Sequence, residues 1–143
     1  EGKQTLDMDT AMAVLNNRFQ IMAQYRKLVI KPLVAQEMHR VDESMRHLFR
    51  RAKRLLSRES SLLDSRNEEN LQQVLDHSQR LRIIYEKRLA LQAIWSRTSA
   101  NGHDMLHALA EWCSQAEASG IKALQEFAAT LRTYSLQPAP MAR

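Results

Sequence analysis

Apolar residues recur along this chain in steps of three and four, the period of a helix that buries one face. Met8, Met12, Leu15, Phe19, Met22 and Val29 form the first stripe, interrupted by Arg26. They predict a helix from about Asp9 toward Ile30, capped by Asp7 or Asp9. Pro32 lacks an amide hydrogen and disfavours helical geometry at Lys31, so a kink or restart is expected there. Val34, Met38, Val41, Met45, Leu48, Ala52 and Leu55 then keep an unbroken 4-3 spacing, the seam of a long helix in a bundle or coiled coil.

The polar segment from Ser57 to Asn70 predicts a connection. Leu71, Val74, Leu75, Leu81, Ile84, Tyr85, Leu91, Ile94 and Trp95 mark a second long helix, ending over Thr98 to Asn101. Asn101 as a cap and Asp104 in the first turn open the next helix, whose apolar face is Met105, Leu109, Trp112 and Ala116. Gly120 fits a left-handed stop, with Ser119 available to cap the last helix and its face of Ile121, Leu124, Phe127, Ala128 and Leu131. Gln137 to Arg143, with Pro138 and Pro140, predicts a disordered tail. The expectation is an all-α fold: one domain over residues 1–136, a bundle of four or five helices, two of them long.

Composition agrees, because 3 Gly and 3 Pro in 143 residues leave little turn chemistry. The net charge of +5 favours anionic partners without choosing among nucleic acid, lipid headgroups and acidic proteins. Cys113 is the only cysteine, which rules out an intrachain disulfide and fits a reducing compartment; its spacing from Leu106 and Leu109 makes it a small core residue. No apolar run reaches the ~20 residues of a membrane span and no signal peptide opens the chain, so a soluble domain is expected. A start at Glu1 is compatible with a piece of a longer protein.

WCSQAEASGIKALQEFAATL, residues 112–131, has the outline of a helix-turn-helix. The start of its second helix offers only Lys122 and Gln125 for reading bases, so a packing corner is the better reading. His103 and His107 share the i, i+4 spacing of a zinc-binding helix, but an aspartate replaces the usual glutamate base. No third ligand follows, although Glu111 lies on the same side, and no metal site is assigned. His39, His47 and His77 are scattered among charged positions and form no cluster. In RHLFRRAKRLLSR, residues 46–58, His47, Arg50, Arg51, Arg54 and Arg58 share one helical face. That face suits phosphates or lipid headgroups, or else is a solvated surface paired with Glu59, Asp64, Glu68 and Glu69. No aromatic residues interleave to stack bases. With no phosphate loop, nucleophile elbow or paired-carboxylate motif, no catalytic residue is assigned.

LDMDTAMAVLNNRFQIMAQYRKLV, LFRRAKRLLSRESSLL, IYEKRLALQAIW, NGHDML and EASGIKAL together resemble the C-terminal extension of bacterial membrane-bound acyl-CoA (stearoyl-type, delta-9) fatty-acid desaturases, over about Gly2 to Leu136. The resemblance implies an upstream desaturase domain with a di-iron centre held by histidine boxes; none of those boxes lies in this chain, which needs no cofactor of its own. It further implies a position at the cytoplasmic face of the inner membrane and a non-catalytic role in interaction, orientation or regulation. There the basic face would meet an anionic membrane surface.

A second resemblance covers about Leu55 to Tyr134. LLSRESSLL, IIYEKRLALQAIW and EWCSQAEASGIKALQEFAATLR are similar to the helical segment inside insertion-sequence transposases with an Asp-Asp-Glu nuclease core. In those proteins the catalytic glutamate follows in a downstream Asn-Gly or Glu-Gly segment, whereas this chain ends in LQPAPMAR. The alternatives to the desaturase role are therefore a transposase-derived nucleic-acid-binding domain and a homo-oligomerisation module built on the 4-3 seam.

Overall fold

The computed structural model describes residues 12–57, 65–96 and 102–133. All regular structure among them is helical, as the periodicity requires. The expected caps at Asp7, Asp9 and Asn101, the helix end at Thr98 and the tail from Gln137 lie outside the described residues. The chain forms two compact units, one of residues 24–86 and one of residues 1–23 with 87–143.

Residues 12–16 are helical and, after a turn at Asn17, α1 spans Arg18–Tyr25. The buried positions here are Val14, Ile21 and Tyr25, while Met12 and Phe19 of the expected stripe are 51% and 74% exposed. Positions two apart lie about 200° apart on a helix, so the two stripes occupy opposite faces. The Val14 face is the one turned inward. Arg18 places its guanidinium 4.6 Å from the exposed Phe19 ring, a cation-π contact.

Arg26–Ile30 forms a π-helical turn leading directly into α2, Lys31–Met38. Pro32 explains it. The proline cannot donate and its ring crowds the preceding turn; the widened ladder, in which Lys31 N–H bonds to Arg26 C=O, absorbs the disturbance without ending the helix. The expected kink is thus a π-turn, just before the proline.

Residues 39–42 then reverse the chain, because Asp42 takes extended geometry (φ −65°, ψ 158°) ahead of α3, Glu43–Arg50. A second irregularity at Arg51 separates α3 from α4, Ala52–Ser57. The expected continuous helix from Val34 to Leu55 is therefore three helices. Val34, Leu48, Ala52 and Leu55 are buried within the chain, so this part of the seam is not free to pair with a second copy.

The Ser57–Asn70 connection is shorter than expected, for α5 already begins at Ser65 and runs to His77. α6, Gln79–Ser96, follows after the single residue Ser78. α2 packs on α3 and α4, and α5 on both α3 and α4. The Tyr25 hydroxyl donates to the Ile84 carbonyl, giving its buried phenol a partner.

In the other unit, α7 (Gly102–Glu117) packs on α8 (Lys122–Arg132). Asp104 stands in the first turn of α7 as expected. No helix among the described residues is long and apolar enough to cross a membrane.

Candidate nucleic-acid interface

The basic segment is built by an amphipathic pattern on α3 and α4. Leu48, Phe49, Ala52, Leu55 and Leu56 turn inward and are 5% exposed or less. Arg46, His47, Arg50, Arg51 and Arg54 are all exposed. Arg51 sits at the junction with φ −86° and ψ −11°, and its carbonyl accepts from the amides of Arg54 and Leu55 as α4 begins. From Arg46 to Arg54 the rise is about 12 Å, enough to follow several phosphates.

Four of the five predicted residues, His47, Arg50, Arg51 and Arg54, are brought to one exposed surface; Arg58 lies outside the described residues. Arg46, four positions before Arg50, belongs with them, and that spacing is the signal for it in the sequence. Among the described residues none of these arginines forms a salt bridge, and Glu68 and Glu69 do not reach them. Glu59 and Asp64 lie outside the described residues. Charge is also unevenly divided: residues 24–86 carry 13 Lys and Arg against 9 Asp and Glu, a net +4, leaving 8 against 7 in the rest of the chain.

The 112–131 corner is a packing corner. Gly120 takes the left-handed φ of 78° that reverses the chain, and the Ser119 hydroxyl accepts from the Ile121 amide at 3.2 Å. Ile121, Leu124, Phe127, Ala128 and Leu131 are buried, and Phe127 meets Trp112 edge-on at 5.7 Å. The indole N–H of Trp112 donates to the Lys87 carbonyl. The polar side chains at the start of α8 are engaged locally: Gln125 donates to the Glu117 carbonyl, and Lys122 lies 3.9 Å from Glu126. Arg132 binds both oxygens of Glu117 at 2.7 and 3.1 Å, tying the end of α8 to the end of α7 and holding that carboxyl below its ordinary value.

His107 is exposed, the His103 side chain lies outside the described residues, and among the described residues no three His, Cys, Asp or Glu side chains gather as metal ligands. Burial pushes the Cys113 thiol up to about 11, and its sulfur rests 3.8 Å from the Ala128 carbonyl. Cys113 is therefore expected to resist a disulfide reagent at pH 8 in the folded chain and to react within seconds once urea unfolds it. Stopped-flow and manual thiol titration measure both states; rapid labelling of the folded chain would contradict the buried placement.

Searches of curated proteins and of solved structures find no match to this chain. Residues 8–137 match the profile of a transposase family, DDE_Tnp_ISL3. This overturns the desaturase resemblance, which rests on short strings of sequence and not on any motif that carries chemistry. The upstream desaturase domain as partner falls with it, and the membrane parent is left without support. The transposase likeness of residues 55–134 in fact extends across nearly the whole chain, and the chain belongs to the DDE_Tnp_ISL3 transposase family.

Proposed function

We propose that this chain is a helical nucleic-acid-binding part of a transposase, and that the exposed face of α3 and α4 holds the phosphate backbone. One observation carries the reading: Arg46, Arg50, Arg51 and Arg54 point outward together without acidic partners among the described residues. An isolated cationic face of this kind attracts a polyanion by releasing its counterions. Membership in a transposase family supports nucleic acid as that polyanion. Strand cleavage by an Asp-Asp-Glu core needs carboxylates gathered on a metal ion, and the described carboxylates form no such group, so no cleavage step is assigned to them.

Fluorescence anisotropy of the full chain with a duplex of about 20 base pairs tests the proposal. Arg50→Ala/Arg51→Ala/Arg54→Ala is expected to weaken binding, and to flatten the dependence of log K on log salt by about 0.9 for each phosphate no longer neutralised. Absence of salt-dependent duplex binding by the unaltered chain would overturn the reading.

A further inference from the structure

A second basic segment lies next to the first. Lys and Arg occupy positions 26, 27 and 31, and no acid occurs from Arg26 to Gln36. The returning stretch from Ser44 to Ser57 holds five Lys and Arg and again no acid. The reversal at residues 39–42 folds these stretches side by side, and the π-turn packs directly against α4.

The π-turn decides which side chains face out. By widening one turn it sends the consecutive residues Val29 and Ile30 into the core and leaves Arg26, Lys27 and Leu28 exposed; Lys31 is exposed one residue further on. Among the described residues Arg26, Lys27 and Lys31 form no salt bridge. The aromatic residues of this unit, Tyr25, Phe49 and Tyr85, are all buried, so it offers no Phe, Tyr or Trp platform on which unpaired bases could stack. A cationic surface without stacking rings matches the regularly spaced phosphates of a duplex better than a single strand.

We propose that Arg26, Lys27 and Lys31 form a second phosphate-binding segment beside α4, and that the two segments together hold duplex DNA. This rests on the nucleic-acid reading above. The full chain is titrated with a duplex of about 20 base pairs, and with one of its single strands, across a salt series. Arg26→Ala/Lys27→Ala/Lys31→Ala is expected to flatten the salt dependence by about 2 to 3. Arg26→Lys/Lys27→Arg/Lys31→Arg is expected to keep the original slope, and circular dichroism checks that both variants retain their helix. An unchanged slope in the alanine variant, alongside a reduced one in Arg50→Ala/Arg51→Ala/Arg54→Ala, overturns the second segment and leaves the α3–α4 face standing. Tighter binding to the single strand than to the duplex overturns the duplex assignment. Unchanged binding in both alanine variants overturns both proposals.

Discussion

Phe49→Ala is expected to destabilise the chain by ~3–5 kcal/mol, the range for deleting a buried aromatic ring. Phe49 is 0% exposed, so the truncation leaves a cavity that the surrounding helices close only in part. Against a typical domain stability of ~5–15 kcal/mol, such a loss removes from about a fifth to all of the margin. Urea unfolding followed by circular dichroism measures it as a fall in midpoint at nearly constant slope. Phe49→Leu, which keeps most of the volume, is expected to recover more than half of the loss. A change below about 1 kcal/mol for Phe49→Ala would mean that the ring is not packed as described. The prediction bears on function because Phe49 lies beside Arg50 in α3 and fixes the inward side of the helix that carries the arginines outward.

Phe49 also shows where the sequence pattern falls short. The 4-3 seam picks out Leu48, Ala52 and Leu55, the narrow line of a coiled coil, whereas a globular helix buries a stripe at least ~100° wide. Phe49 and Leu56 fill the second column of that stripe and are both 0% exposed. The same narrowness misplaces the N-terminal face: Met12 and Phe19 have good spacing, but so do Val14, Ile21 and Tyr25, and spacing alone does not choose between two apolar lines on one helix. The partner available to the Tyr25 hydroxyl at Ile84 is a long-range feature that no local pattern displays.

Local chemistry is more legible. Gly120 and Asp104 stand where the sequence predicts them, because left-handed stops and first-turn charges depend on one or two residues and their immediate neighbours. The N-cap of α8, by contrast, is Ile121, without a side-chain cap, and the Ser119 oxygen accepts from the Ile121 amide. The basic face is readable as a face because charge and period coincide there. Its partner is not, since net charge gives only the sign of what binds. The nucleic-acid reading proposed above draws on the family match, not on charge alone.

The break between α5 and α6 is hidden for a different reason, and it supports the second large prediction. Leu71, Val74 and Leu75 run into Leu81, Ile84 and Tyr85 as if on one helix, because a single residue, Ser78, makes the interruption. Ser78 is 3% exposed and works in two directions: its oxygen accepts from the Leu81 amide at 3.1 Å, capping α6, and its hydroxyl donates to Glu37 at 2.7 Å. Glu37 is itself 5% exposed, its other carboxyl oxygen has no hydrogen-bond partner, and Arg40 stands 3.7 Å away. Ser78→Ala removes a cap and strips a buried carboxyl of its hydrogen bond, so a loss of ~2–4 kcal/mol is expected. Glu37→Met removes the buried polar group at nearly constant length, and is expected to lie within about 1 kcal/mol of the unaltered chain or to stabilise it. The combination Glu37→Met/Ser78→Ala then keeps only the cap loss of ~0.5–2 kcal/mol and is more stable than Ser78→Ala alone. Denaturant unfolding of the four proteins completes the double-mutant cycle. Simple additivity of the two changes would show that Ser78 acts on α6 alone, and that the buried pairing with Glu37 does not contribute to holding α2 against the start of α6.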